Sequence, residues 1–400
     1  MLIVQKFGGS SLADKEKVLN AAQIVAKTYN EGKKVVVVLS AQGDTTDELL
    51  QKAAELSDNP SAREVDMLLA TGEQQSAALV AIALISMGLP AVSLNAQQIG
   101  ISTSSNHGNA RVLNICGQRM LKELAEGKIV LVTGFQGVND CGDITTLGRG
   151  GSDATAVAVA KALDADLCEI YTDVDGVYTA DPRIVKNACK LDQISYDEML
   201  EMATMGAKVL HNRSVEIAKM YNVNMCVRSS ITKAEGTRIV KSSESDRVVV
   251  SVAGDLDVCV ISVRETKNET GSLYRLFSML ARNEINVDII TQFCGDCFSE
   301  ITFTVSKKNA RTALEVLNEN KSSLGIETIT TNDSMAKVSA VGAGMASDPG
   351  VAAKMFEAIY ECGSEVFLIT TSEIKISVLV SAEDYVKVIN AVHKKFELDK

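Results

Sequence analysis

At 400 residues, 46% of them hydrophobic and only 4 of them proline, the chain is too long for one ordinary domain and too apolar to be disordered. Its net charge of −11 argues against a nucleic-acid partner, which would favour a basic face. No run of 18 uninterrupted apolar residues offers a membrane span; the best candidate, Ala77 to Ile85, reads as a buried helix.

Apolar runs at Leu2–Lys6, Lys34–Leu39, Ala91–Leu94, Ile129–Val132 and Leu167–Thr172 predict strands. Helical patterns at Lys15–Asn30, Ala62–Met87, Ala110–Glu126 and Ala154–Leu163 fall between them, so an α/β sheet with helices on its faces is expected. Aromatic residues make up 4% and tryptophan is absent, so Val, Ile, Leu, Ala and Met must fill the cores, which suits parallel layers. Helices around Glu198–Met205 and Ala207–Tyr221 and a strand near Met225–Arg228 follow, and the polar run Lys241–Asp246 reads as a linker.

Beyond it lies an internal repeat. Gly271 and Gly350 are 79 positions apart, as are Phe277 and Phe356, Ile290 and Ile369, and Thr291 and Thr370. Leu273, Leu276, Phe277, Leu280 and Ala281 make an amphipathic stripe that Ala352, Met355, Phe356, Ile359 and Tyr360 repeat. Each copy reads strand, Gly-led turn, helix, two strands, helix, the βαββαβ plan of a ferredoxin-like unit. The expected domains are residues 1–243, 250–330 and 335–400, with a ligand cleft between the two copies.

Three stretches carry chemistry. Lys6-Phe7-Gly8-Gly9-Ser10-Ser11 ends the first strand; adjacent glycines let backbone N–H groups face an anion, with the Lys6 charge beside them. Taken alone this could be an ordinary tight turn, and it is not the GxxxxGK[ST] loop, because the lysine precedes the glycines. Thr145-Thr-Leu-Gly-Arg-Gly-Gly-Ser-Asp153 runs into a helix and makes a second anion-directed turn, in which Arg149 can grip a carboxylate or phosphate. Thr172 to Arg183 gathers carboxylates, Tyr178, hydroxyls and an arginine in a loop that could hold a nucleotide. Three dispersed histidines suggest no metal cage, and the lone CxxC, Cys294 and Cys297, reads as two small core or loop residues. Nine scattered cysteines do not look like a disulfide framework, and the N-terminus opens directly as a strand; both point to a cytosolic protein.

In this order and spacing the three stretches resemble the aspartokinases of the amino-acid-kinase family. Lys6–Ser10 looks like the family's K-[FY]-G-G-[ST] start. Ser40-Ala-Gln-Gly-Asp-Thr-Thr-Asp47 resembles its S-A-M-G loop with Gln42 where methionine is usual, and Leu69–Glu73, His107–Arg111, Gly148–Asp153 and Thr172–Arg183 also match. His211-Asn-Arg213 departs from the common His-Pro-Arg and is expected to lie beyond the chemistry. The resemblance implies a three-layer α/β/α kinase domain followed by two ACT units, the second often nested within the first, so that a strand beyond residue 380 could complete the first.

It also implies the reaction: ATP-dependent phosphorylation of the aspartate β-carboxylate. On that reading Lys6, Glu73 and Asp153 are catalytic, with Lys6 at the transferring phosphoryl group beside the Phe7, Gly8, Gly9 and Ser10 backbone. Arg149 meets the substrate α-carboxylate, Glu73 the α-ammonium, Ser40 and Thr45 the reacting end, and Gly150, Gly151 and Ser152 line the cradle. Thr172, Asp173, Tyr178, Asp181, Arg183 and Lys208 surround the nucleotide. Mg²⁺ is held by nucleotide and water, with no protein ligand named. Asn268, Gly271, Asn286, Val287, Asp288 and Gln292 form an effector site for lysine, alone or with threonine. A homodimer or higher homo-oligomer through the ACT units is expected, with no nucleic-acid or membrane partner. A related amino-acid or carbamate kinase lacks the tandem repeat, and an inactive sensor would not need Lys6, Glu73, Arg149 and Asp173 together. A fused dehydrogenase has no room before Lys400.

Overall fold

The computed structural model describes residues 1–204, 209–232, 234–242, 247–265, 271–295, 298–346 and 348–400. They form two compact units: Met1–Tyr178 with Lys190–Asp246, and Thr179–Cys189 with Arg247–Lys400.

The first unit begins β1 (Leu2–Phe7), α1 (Lys15–Asn30), β2 (Lys34–Leu39), α2 (Thr45–Leu56), α3 (Ala62–Ser86), β3 (Ala91–Leu94) and α4 (Ala96–Ile99). It continues through β4 (Ile101–Thr103), β5 (Val112–Ile115), α5 (Gln118–Ala125), β6 (Ile129–Thr133), β7 (Gln136–Val138), β8 (Ile144–Thr146) and α6 (Gly151–Ala162). It closes with β9 (Leu167–Thr172), β10 (Gln193–Ser195), α7 (Tyr196–Thr204), α8 (Asn212–Tyr221), β11 (Met225–Ser229) and β12 (Thr237–Val240).

Eight strands make the main sheet in the order β10-β12-β11-β9-β1-β2-β6-β3, parallel except where β11 meets β12. The all-apolar β2 explains the layering. Val35, Val37 and Leu39 face a core shared with α1 and α3, where Val18, Ala22, Val25, Val80 and Leu84 pack. The alternate Val36 and Val38 are also fully buried, on the face that α5 and α6 cover. By length and composition α3 could cross a membrane, yet its inward residues pack in this core. β4, β5, β7 and β8 form a separate four-stranded sheet that the sequence pattern did not announce.

Two predicted helices change. Ala110–Glu126 is not one helix: Gly117, at φ +70°, separates β5 from the shorter α5. The helix expected from Ala207 starts at Asn212, because the His211 side chain caps it by accepting from the Arg213 N–H; residues 205–208 lie outside the described residues. Of the linker, 243–246 also lie outside them.

The second unit runs β13 (Ser251–Glu265), α9 (Ser272–Arg282), β14 (Ile290–Cys294), β15 (Ser299–Val305) and α10 (Lys307–Glu319). Then come β16 (Ile326–Val341), α11 (Val351–Glu361), β17 (Leu368–Thr371), β18 (Lys375–Ser381) and α12 (Tyr385–Lys395). Its antiparallel sheet has the order β14-β15-β13-β16-β18-β17. The two long central strands serve both halves of the repeat. Residues 258–265 of β13 lie between β15 and the start of β16, whereas 251–255 pair with 337–341, whose other side meets β18. Cys259, Ile261 and Val263 enter one core and Val252 the other. The strand that completes a half from outside is thus the beginning of β13; after β18 come α12 and the C-terminus, so the strand imagined beyond residue 380 is replaced by a helix. The repeated helices keep their 79-residue offset, but Gly271 is left-handed (φ +91°) and Gly350 is not (φ −85°).

The segment Thr179–Cys189 also belongs to this unit. The Thr179 carbonyl accepts from Val252 N–H at 2.8 Å, and its buried hydroxyl lies 2.9 Å from His393 Nε2 and 3.3 Å from the Leu398 carbonyl.

Candidate active site

From β1 the chain lays down β2, β3 and β6 on one side, then returns to β9 on the other. The carboxyl ends of β1 and β9 are therefore the topological switch point, where open α/β sheets bind ligands. Lys6 stands there, 9% exposed, with Nζ 2.6 Å from Asp153 in the first turn of α6. A carboxylate suits that helix end, and it holds the ammonium in place.

Gly9, Ser10 and Ser11 form a short turn closed by Ser11 N–H to Gly8 O and Leu12 N–H to Gly9 O. The amides of Gly9 and Ser10 open this turn and have no acceptor within it. Phe7 is fully buried, stacked on Tyr171 at 4.7 Å, so only its backbone faces the turn. Gly8 N–H is used by Tyr171 O at 3.3 Å. A Cβ on Gly9 would stand 2.8 Å from Ala41 O, so the turn and the loop after β2 can meet only at glycine. Gly43 N–H donates to Gly9 O at 3.0 Å, and the Gln42 amide donates to Leu12 O at 2.7 Å. Gln42, where methionine was expected, laces loop to turn.

That loop carries Ser40, whose N–H donates to Phe7 O, and ends at Thr45, the first residue of α2. Its Ala41 N–H donates to Glu73 Oε1 at 3.1 Å. Glu73 is 3% exposed, its Oε2 has no partner, and burial pushes its carboxyl up to about 7. Lys6 and Glu73 are thus joined into one site through residues 40–43.

Arg149 is exposed on the loop between β8 and α6, with no carboxylate partner among the described residues. The loop is held from below. Arg213 donates to Leu147 O at 2.8 Å and to Ala110 O at 2.7 Å. His211 packs against Gly150, and burial holds its imidazole below its ordinary value. The expectation that His211-Asn-Arg213 lies away from this region is corrected: no sequence spacing links residue 213 to residue 147. Gly151 and Ser152 are buried at the start of α6, the latter beside Gly134.

Gly150 has φ +70°, and a Cβ there would sit 2.2 Å from the His211 ring. Gly150→Ala must displace both the cap of α8 and the Arg149 loop. A fall in Tm of about 2–8 °C is expected, with KM raised roughly tenfold for whichever substrate Arg149 grips. Melting curves and initial rates check this, and an unaltered KM contradicts it.

Thr172 ends β9 and Asp173 follows it, with Thr172 Oγ1 donating to Asp173 at 3.0 Å, and the Tyr178 hydroxyl donates to Asp175 at 2.9 Å. Asp181 and Arg183 lie in the second unit and bond to each other, Arg183 Nη2 to Asp181 Oδ2 at 2.7 Å, which holds the Asp181 carboxyl below its ordinary value. Lys208 lies outside the described residues.

In the second unit Gly271 caps α9, and Asn286, Val287 and Asp288 precede β14. Asp288 pairs with the buried Lys337, a partner the sequence did not suggest, and Gln292 donates to Ser299 at 2.9 Å. Asn268 and Cys297 lie outside the described residues. The other missed residue is Asp66, fully buried on α3. Its signal was available: Asp66 and Glu73 interrupt an inward stripe otherwise made by Leu69, Ala70, Ala77 and Val80.

The amino acid kinase family profile matches residues 1–229, and the ACT domain profile residues 338–396. An aspartokinase of Bacillus sp. (strain MGA3) is 49% identical over 400 residues, covering 99% of this chain and 97% of that protein. Among solved structures, E. coli aspartokinase III in complex with aspartate and ADP matches with a TM-score of 0.83 at 27% identity, covering 99% of both chains. The E. coli aspartokinase III complex with lysine and aspartate gives 0.79, also at 27% identity and 99% of both. The chain belongs to the amino acid kinase family and, within it, to the aspartokinases, ATP-dependent kinases that phosphorylate aspartate.

Proposed function

We propose that this enzyme transfers the γ-phosphoryl group of ATP to the β-carboxylate of L-aspartate, giving 4-phospho-L-aspartate and ADP, the first step toward lysine, threonine and methionine. The observation that carries this reading is one site containing a buried ammonium at an anion-directed turn and a buried carboxylate oxygen without a partner. The first answers a phosphate, the second an α-ammonium group.

The β-carboxylate, with a reference pKa near 3.9, is ionised at neutral pH, so no base is needed to make the nucleophile. The barrier is repulsion between two anions together with their alignment. Lys6 and the Gly9 and Ser10 amides offset the charge that builds on the transferring group, and Asp153 keeps the ammonium aimed. Arg149 takes the α-carboxylate, Glu73 the α-ammonium, and Ser40 and Thr45 the reacting end, with Gly150, Gly151 and Ser152 lining the cradle. Thr172, Asp173, Tyr178, Asp181, Arg183 and Lys208 serve the nucleotide. Magnesium would travel on the phosphates, with Asp153, the partner of Lys6, as the nearby carboxylate. When bound, it supplies further charge neutralisation.

In the regulatory unit, Asn268, Gly271, Asn286, Val287, Asp288 and Gln292 form the effector site, for lysine alone or with threonine. The E. coli relative crystallised with lysine and aspartate supports this choice. The edge strand β14 and the residues around β17 expose Ile290, Phe293, Phe367 and Ile369, as a surface for a second copy would. The described cysteines are all free, which fits the cytoplasm.

Trapping the acyl phosphate with hydroxylamine tests the reaction. Aspartate hydroxamate should form in proportion to ADP, and lysine or lysine plus threonine should suppress both. Absence of hydroxamate overturns the reaction, and indifference to every aspartate-derived amino acid overturns the effector reading.

A further inference from the structure

The geometry points to Asp66 as a positioning residue that fixes the Arg149 loop relative to Glu73. Both oxygens of this fully buried carboxylate are used. Oδ2 lies 2.8 Å from His107 Nδ1, Gly108 N–H is 3.1 Å from each oxygen, and the Thr146 hydroxyl donates to Oδ1. A carboxylate can only accept, so His107 carries its proton on Nδ1. Thr146 ends β8 and leads directly into Leu147-Gly148-Arg149; Ala110 N–H donates to Thr146 O at 2.9 Å, tying the 107–110 loop to the same strand.

Asp66 and Glu73 are seven residues apart on α3, two turns along one face and roughly 10 Å in rise. The helix is therefore a ruler. One end presents the unpartnered Glu73 oxygen, and the other grips the two loops that support Arg149. An α-amino acid offers its ammonium and carboxylate at a fixed separation, and a ruler that sets the spacing of their receptors selects for that head group. Arg213 steadies Leu147 and Ala110 from α8, so the loop is held from two sides.

This inference rests on the proposed contact between Arg149 and the α-carboxylate, and the test separates the two. L-Aspartate is compared with its α-amide, which keeps the β-carboxylate but lacks the α-carboxylate charge. The ratio of their kcat/KM values measures Arg149's grip, and a purely structural role for Asp66 does not move it. Arg149→Ala is expected to lower the ratio at least tenfold. Asp66→Asn, which places a donor where His107 or Gly108 also donates, should lower it about fivefold or more and raise KM for aspartate about tenfold, with KM for ATP within twofold. If Arg149→Ala lowers the ratio and Asp66→Asn leaves it unchanged, the role of Asp66 is overturned. If Arg149→Ala leaves it unchanged, the Arg149 contact fails and the role of Asp66 is overturned with it. Should Asp66→Asn not fold, Thr146→Val removes a single donor to the carboxylate and is read by the same ratio and the same outcomes.

Discussion

Lys6→Met is expected to lower kcat roughly a thousandfold or more, because on the proposed reading it removes the full charge that stands beside the glycine turn to offset the transferring phosphoryl group. The nucleophile is already ionised, so lost charge neutralisation cannot be made up by proton transfer. One confusion has to be removed. Lys6 and Asp153 are a buried pair at 2.6 Å, and deleting one partner strands the other, at a cost on the order of 3–5 kcal/mol. The double variant Lys6→Met/Asp153→Asn relieves that stranded charge. It should melt closer to the parent enzyme than Lys6→Met does, and turn over no faster. Turnover of Lys6→Met within tenfold of the parent would sink the assignment.

The second large effect concerns Glu73 and pH. Burial raises its carboxyl from 4.5 to about 7. Below that point it gains a proton and loses the charge proposed to meet the substrate ammonium. KM for aspartate should climb as the pH falls from 8 to 6, approaching tenfold per pH unit at the acid end, while Glu73→Gln shows a high, nearly flat KM. The stability effect has the opposite sense. A pKa raised in the folded state contributes stability that is fully present below about 4.5 and is lost as the pH rises through about 7. The ligand-free enzyme loses on the order of 3 kcal/mol over this range, and Glu73→Gln recovers it. Glu73→Gln should therefore melt higher than the parent at pH 8, match it at pH 4.5, and bind aspartate poorly at both. Parallel KM profiles for the two proteins would rule out the assignment.

What could be read in advance followed the range of the forces involved. β2 is apolar at Val35 to Leu39, so its burial on both faces was visible locally, as were the glycines at positions 8, 9, 150 and 151. β4, β7 and β8 have three residues each, too short for a period to register, and Gly117 was hidden inside an apolar pattern that resembled one helix. The supports beneath the Arg149 loop come from Asp66, His211 and Arg213, whose partners lie tens of residues away. Hydrogen bonds of that span leave no spacing signature. The interlock of β13 and β16 was missed for the same reason: a repeat announces its copies, not which strand completes which copy.

The excursion of the chain between Tyr178 and Lys190 has a consequence for dissection of the gene. Ala180 and Val185 sit in the apolar cluster of the regulatory unit, and Thr179 is clasped by groups near the C-terminus. A catalytic fragment cut after β12 would keep this stretch of another unit's interior with nothing to bury it, and a regulatory fragment begun at Arg247 would lack it. Fragments separated at this boundary should therefore be less stable than the intact chain, the catalytic one with an apolar stretch exposed and the regulatory one with part of its core missing.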